Sequence, residues 1–562
     1  MTVASAIGAR RSGIPVALAT IVFVIAFAMR LPSCFESFWL DELHSAWTVW
    51  GSFADVATRA AAGNQTPPYF WMLWSWKQCV GDAEWALRLP GVIAISFAAA
   101  MLTLGVHRVR GSLLGGFVAG LVLAVESNSL FYGTELRPFA AIILLATGVC
   151  WFAMKPTASN AQDHLALVAI TIPAATLQPT SIAVLGWLWV ARFSLAALQA
   201  RAFRERVSSE SGTLPPQQPR TRGLARVTAL GLAVIAFALV AVWLGGDVMQ
   251  HAWKHRSQWQ PMGRADSLQQ LWRAWPWGSL VVLPVILSTI IKAGTYFIKR
   301  QRADAGTTPS SSTELLSGTM PSSSTAPYSS IAPLAGTMPQ WVLIATVFAA
   351  VFLFWSVSAL GIAPVFHRRY FVACLPLLAW LTGDWVSLAI KQLSGLKLQQ
   401  TSHRIISLWI TILPIGVLML SQGTAKKLMQ QESRLVRRGE GWREAVGDLH
   451  RRHDLTTRVL LSPGLVETAR LLDTNTDQEQ DHFAQWYLTY PLQGPYLWPN
   501  VQAFDLAANS RHDEFPALIR GGRDVVENWI ARTVDSDRKS LRVRSFGGIQ
   551  LVERLAPSLP MQ

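Results

Sequence analysis

Charge is scarce in this chain. Only 15% of its 562 residues are charged and 51% are hydrophobic, with 25 Trp and a positive mean hydropathy. Soluble domains carry about 25% charged residues, so an ordinary soluble globule is excluded. Carboxylates are scarcer than bases, 34 Asp and Glu against 49 Lys and Arg, for a formal charge of +15. The bases lie mostly in short segments between apolar runs, the pattern of cytoplasmic loops rather than of a phosphate-binding face. Nucleic-acid binding is therefore not expected. Cysteine is down to four, and their positions match no metal-binding spacing. Cys150 and Cys374 fall in apolar runs and read as inert. Cys34 and Cys79 share the first outer segment and could form a disulfide in an oxidising compartment.

What the chain has is long apolar runs. About 20 such residues cross a hydrocarbon core, and eleven candidates emerge at roughly 14–30, 88–106, 112–131, 136–154, 164–178, 181–199, 225–245, 277–297, 341–362, 370–390 and 404–421. The fifth is short and holds Pro173. Arg10 and Arg11, the His107 to Arg110 run, Arg201 to Arg206, Arg220 to Arg226, Lys299 to Arg302 and Lys391 to Lys397 fall on one side, which is then cytoplasmic. Arg30 and Pro32 interrupt the first run where cleavage of a leader needs continuity, so an uncleaved first span is expected. The cytoplasmic segments at about 207–220 and 303–339 are Ser-, Thr- and Pro-rich and are expected to be disordered.

The class expected is mainly α: a polytopic helical membrane domain over residues 1–421 and a small extracytoplasmic α/β domain over 422–562. In the latter, Trp442 to Arg451 and Leu465 to Leu472 have helical spacing, Val459 to Leu461 reads as a strand, and Leu541 to Val543 with Gly548 to Val552 as a closing hairpin. Leu461-Ser462-Pro463-Gly464 lacks a glycine fingerprint and reads as a turn.

Chemistry concentrates in the outward segments. Trp39-Leu40-Asp41-Glu42 follows the first span, and carboxylates beside a membrane cost enough to suggest a purpose. An acid pair at the outer face suits chemistry on a lipid-borne substrate, although it could also simply cap the helix that follows. Thr66-Pro67-Pro68-Tyr69 precedes an aromatic run with Trp71, Trp74 and Trp76. Leu87-Arg88-Leu89-Pro90 opens the second span, Glu135-Leu136-Arg137-Pro138-Phe139 the fourth, and His367-Arg368-Arg369-Tyr370 the tenth. Glu135 and Arg137 could pair with each other, and Arg88 reads as architectural. The stretch His251 to Arg256, with Trp253 and Trp259, is a basic aromatic patch without an expected catalytic role.

Five such motifs in this order resemble the GT-C membrane glycosyltransferases, similar to bacterial aminoarabinose transferases and protein O-mannosyltransferases, over residues 14–390. The resemblance implies a polytopic GT-C fold that transfers a sugar from a polyprenyl-phosphate donor to a lipid, glycan or protein acceptor on the non-cytoplasmic face, with membrane lipids as surroundings. It implies inversion, with Asp41 as the base accepting the proton of the attacking group and Glu42 supporting it. No cofactor is certain; a divalent cation, if one is used, would take Asp41 and Glu42. Arg137 and Arg369 are matched to the carrier phosphate through paired donors, with Tyr370 adding a hydroxyl. Pro67, Pro68, Tyr69 and Glu135 complete the substrate-binding set. The chain departs from the pattern at Thr66, where relatives carry a basic residue, leaving Lys77, His44 or another arginine to supply that charge. It departs again at Glu126-Ser127, where relatives usually have Ser-Pro.

Two other classes compete. A lipid or glycolipid transporter would place ionisable groups at mid-membrane and show inverted repeats; neither pattern is found here. An inactive membrane scaffold is the third reading, opposed by the presence of both Asp41 and Glu42.

Overall fold

The structure, a computed structural model, describes residues 3–63, 65–155, 161–192, 296, 340–394, 400–432, 434–465, 478–506, 515–533 and 540–555. Helix α1 (Val3–Arg30) runs into a 3-10 turn, Leu31–Phe35. Short helices α2 (Leu40–Thr48), α3 (Asp55–Ala62) and α4 (Pro67–Val80) follow outside the bundle. Then come α5 (Glu84–Arg110), α6 (Leu113–Val125), α7 (Ser127–Gly133), α8 (Phe139–Met154) and α9 (Ala161–Leu177). The later apolar helices are Gln340–Ala359, Leu375–Ser394 and Gln400–Ser421.

Among the described residues five helical segments are long and apolar enough to cross a membrane, and a sixth forms if α6 and α7 count as one bent span. The expected spans at 14–30, 88–106, 341–362, 370–390 and 404–421 coincide with the five, and 112–131 with the bent pair. The stretches 136–154 and 164–178 are shorter apolar helices, and 181–199 is described only as far as 192. The spans expected at 225–245 and 277–297, both expected disordered segments, the basic aromatic patch and the helix expected beyond Leu465 lie outside the described residues.

Helices without a hydrophobic drive between them associate through close packing, which small residues permit. A side chain at Gly383 would meet the Gly115 carbonyl at 2.5 Å, so the Leu375–Ser394 helix rests directly on the α6 backbone. The apolar run expected at 112–131 is not one straight helix: it bends by 61° between α6 and α7. Glu126 causes the bend by capping: its carboxylate accepts from the Ser129 amide at 2.6 Å and from the Gln422 side chain at 3.1 Å. The guanidinium of Arg30 donates to Ser129 Oγ at 2.8 Å, and more weakly to the Leu123 carbonyl freed at the end of α6.

Among the described residues the C-terminal part holds a five-stranded mixed sheet: β1 (Val459–Ser462), β2 (Val501–Ala503), β3 (Ala517–Arg520), β4 (Leu541–Phe546) and β5 (Ile549–Arg554), in the order β2-β1-β3-β5-β4. β1 lies parallel to β2 and β3, and β5 antiparallel to β3 and β4. The closing hairpin forms where expected, around a Gly547-Gly548 turn whose first residue has φ +63° and therefore favours glycine.

Alternation along the strands builds two cores, since successive side chains face opposite sides. Leu460, Ile519 and Val552 pack with Trp529 of the Arg523–Thr533 helix. Leu461, Leu518 and Leu551 face the other way, into a cluster holding Trp442 and Leu449 together with Phe38, Leu43, Trp47, Tyr69 and Phe70. The sheet and the segment following the first span thus share one hydrophobic core.

Candidate active site

Helix α2 presents its two acids to different surroundings, because adjacent residues on a helix point about 100° apart. The side chain of Glu42 turns back and accepts from the Trp39 amide at 3.3 Å, closing the first turn. The same carboxylate is fully buried and gripped by Arg88, whose Nε donates to Oε1 at 2.8 Å while a second nitrogen meets Oε2. The Leu136 amide adds a donor at 3.0 Å, and Arg438 stands 3.7 Å away. Burial pushes the Glu42 carboxyl up, but Arg438 and Arg88 outweigh it and hold it below its ordinary value. Arg88 spends its other donors on the carbonyls of Cys34 (2.7 Å), Glu36 and Ser37 (3.1 Å). It is architectural, as its chemistry suggested. Both oxygens of Glu42 are therefore engaged, and a cation there would have to displace Arg88.

Asp41 faces the other way and keeps access to solvent, with 30% of its side chain exposed. Its Oδ2 lies 2.9 Å from Arg137. Burial works against its charge, yet Arg137 and Arg369 together hold the carboxyl below its ordinary value. The alternative of a Glu135–Arg137 pair gives way to Asp41–Arg137. Glu135 stays buried, its Oε2 without a hydrogen-bond partner. Burial pushes its carboxyl up to about 8; Arg137 opposes the rise, and the charge of Asp41 adds to it.

Arg369 donates its amide and its Nε to His367 Nδ1 at 3.3 and 3.2 Å, so that imidazole nitrogen acts as acceptor. Burial, then Arg369 and Arg368, lower the His367 pKa to about 3. His44, one turn on from Asp41, is likewise lowered to about 3 by burial and then by Arg137, so it brings no positive charge. Arg368 and Arg438 both lie over the Phe131 ring, at 5.0 and 5.2 Å. Tyr370 packs its ring near Phe354 at 6.4 Å.

Pro67 and Pro68 start α4, where missing amide donors cost nothing. Thr66 just before them donates to the Leu177 carbonyl at 3.1 Å, anchoring α4 to α9. Tyr69 is buried beneath the acid cluster; burial, then the charges of Glu135 and Glu42, raise its hydroxyl pKa. Lys77 lies elsewhere, its ammonium over the Trp50 ring at 4.6 Å. The possible Cys34–Cys79 bridge does not form: Cys34 is buried in the 3-10 turn, Cys79 is exposed near the end of α4, and both are free thiols.

Residues beyond 430, absent from the expected site, also reach α2. Glu36 accepts from the Arg438 amide at 2.8 Å, and Arg438 reaches Thr134 Oγ1 at 3.1 Å. The Glu440 carboxylate accepts from the Leu40 amide (3.0 Å), Trp442 Nε1 (3.0 Å) and Arg520 Nε (2.7 Å). The first turn of α2 is therefore capped by a side chain 400 residues away. Arg520, on β3, also lowers the Asp41 pKa. A basic run around Arg437 and Arg438 was the only sequence signal, and nothing in it points to Asp41. Among the described residues no three His, Cys, Asp or Glu side chains come together in a metal-holding group.

No protein-family model and no curated protein matches this chain. Among solved structures it is similar to ArnT from Cupriavidus metallidurans in the apo state, at 15% identity and a TM-score of 0.47, over 98% of this chain and 100% of that one. It is also similar to ArnT from the same organism bound to undecaprenyl phosphate, at 14% identity and a TM-score of 0.44, over 97% and 98%.

Proposed function

We propose that this chain is an integral-membrane glycosyltransferase of GT-C type, moving a sugar from a polyprenyl-phosphate carrier to an acceptor on the non-cytoplasmic face of a bacterial inner membrane. The observation that carries the reading is Asp41: a partly exposed carboxylate, kept ionised by Arg137 and Arg369, at the head of the helix that follows the first span. Its setting matches the order of motifs in the sequence.

In this reading the acceptor's hydroxyl or amine attacks the anomeric carbon from the face opposite the carrier. Asp41 takes the proton as the new bond forms, and the single displacement from the opposite face inverts the anomeric carbon. The bond from the anomeric carbon to the phosphate oxygen breaks, and the electron pair leaves with polyprenyl phosphate. Arg137 and Arg369 meet the growing charge, where fixed cations act most strongly. Glu42 keeps α2 in place. Glu135, held protonated near neutral pH, donates to a sugar or phosphate oxygen, and Tyr69 and Tyr370 line the same approach.

The test uses the full chain in lipid nanodiscs with radiolabelled polyprenyl-phosphate sugars and a membrane extract. Release of free polyprenyl phosphate by the wild type and not by Asp41→Asn is the expected result. Equal release by both removes Asp41 from the reaction. No release from any donor brings the transporter or scaffold reading forward. Cysteine labelling at residue 41 and at 555 from either side of sealed vesicles checks the outward orientation.

A further inference from the structure

A cavity borders α2 away from Asp41. Its volume is about 460 Å³, and Ala46 and Phe38 form part of its wall. Ala46 sits about 140° round the helix from Asp41 at 100° per residue, and neither Asp41 nor the Glu42–Arg88 pair lines the cavity. The remaining wall comes from the segment after the first span and the C-terminal part, and includes Trp50, Lys77, Asp82, Trp85, Tyr490 and Tyr496. The volume falls within the range of small-molecule sites, about 300–1,000 Å³.

The chemistry of the wall is specific. Aromatic faces alternate with charged groups of both signs. Lys77 and Arg443 balance Asp82 and Glu84, so neither a cation nor an anion is favoured. Arg443 is paired to Glu84, which also accepts from the Tyr496 hydroxyl at 2.8 Å and the Phe38 amide at 3.2 Å, fixing that corner. Trp85 stacks on Phe35 at 6.2 Å and remains 44% exposed, a flat apolar plate presented to solvent. The opposite rim is a tight turn. A side chain at Gly494 would collide with the Tyr490 ring at 2.2 Å, and Leu497 is held at φ +59°, a left-handed conformation costly for leucine. Such strain persists only where the surrounding structure imposes it, and it gathers at binding sites.

We infer that this cavity is a binding site for an uncharged saccharide, separate from the Asp41 cluster. A pyranose offers apolar C–H faces that stack on indole and phenol rings, and a rim of hydroxyls that both donate and accept. Asp82 and Lys77 supply an acceptor and a donor for those hydroxyls, and charge-assisted bonds of this kind are the stronger ones. The assignment stands on the cavity alone and does not require that Asp41 transfer anything.

The test is saturation-transfer NMR on the full chain in nanodiscs. The probes are the methyl glycosides of glucose, galactose and mannose, together with cellobiose. Ring-proton signals from at least one probe are expected with the wild type, at least fivefold weaker with Trp85→Ala and with Asp82→Asn, and unchanged with Asp41→Asn. Trp85 and Asp82 are exposed, so their replacement leaves the core intact. No transfer from any probe overturns the site, as does equal transfer to wild type and both variants. Loss with Asp41→Asn would put the sugar at the acid cluster instead, and displacement by short-chain phosphatidylglycerol would make the occupant a lipid headgroup; either result overturns the inference.

Discussion

Arg137 reaches Asp41 at 2.9 Å, passing over Glu135, the acid two residues before it in the chain. That choice leaves one carboxylate ionised and partly exposed beside another that is buried with its Oε2 unpaired. Environments that pull neighbouring carboxyls apart in this way are how acid and base roles become separated.

Asp41→Asn keeps the shape and removes the base. Loss of sugar transfer by about 100- to 10,000-fold is expected, the usual share of a general base. Thermal unfolding followed by tryptophan fluorescence should change little, since the side chain is partly exposed.

Arg88→Met leaves Glu42 charged, buried and without its main partner. Removing one member of a buried pair costs about 3–5 kcal/mol, so a large drop in unfolding temperature is expected. Arg88→Met combined with Glu42→Gln should recover part of it, because the stranded charge is gone. Additive losses in the double variant would show that the pair is not the coupling element.

Glu135 carries the pH dependence. Its carboxyl is raised from 4.5 to about 8 in the folded protein, so between those values the folded state holds a proton that the unfolded chain has released. Stability therefore falls as pH rises through that window, with a limiting slope of about 1.4 kcal/mol per pH unit. Glu135→Gln should flatten this slope and unfold at a higher temperature than the wild type at pH 8. An unaltered slope would mean that Glu135 ionises normally.

Glu440→Ala removes the acceptor shared by Leu40, Trp442 and Arg520. Hydrogen bonds to a charged group contribute about 1.5–3 kcal/mol each. Faster hydrogen exchange at the Leu40 amide is expected, together with a fall in transfer activity although Glu440 lies outside the acid cluster. Glu440→Gln, which keeps an acceptor oxygen, should restore most of the protection.

The thiols offer the simplest check. Cys79 is exposed and Cys34 buried, so a maleimide should label Cys79 in the native protein and Cys34 only after unfolding. Failure of both to label until a reductant is added would restore the disulfide.

The sequence by itself determined the class and the chemistry at hand. Apolar runs place helices in a membrane because unpaired backbone groups cannot be left in hydrocarbon, and six of the expected spans are recovered within the described residues. The hairpin at Gly547-Gly548 and the helix at Trp442 were legible from local spacing, as was Asp41-Glu42 as a place of interest. The tertiary structure decided which acid does what. Adjacent on the chain, Asp41 and Glu42 differ because helix rotation turns one toward solvent and the other onto Arg88, 46 residues away. It also decided that Glu36, Arg438, Glu440 and Arg520 converge on α2, and that the sheet shares its core with the segment after the first span. Such contacts join residues about 400 positions apart, and periodicity, which reports only on neighbours within a turn or a strand, carries no information about them.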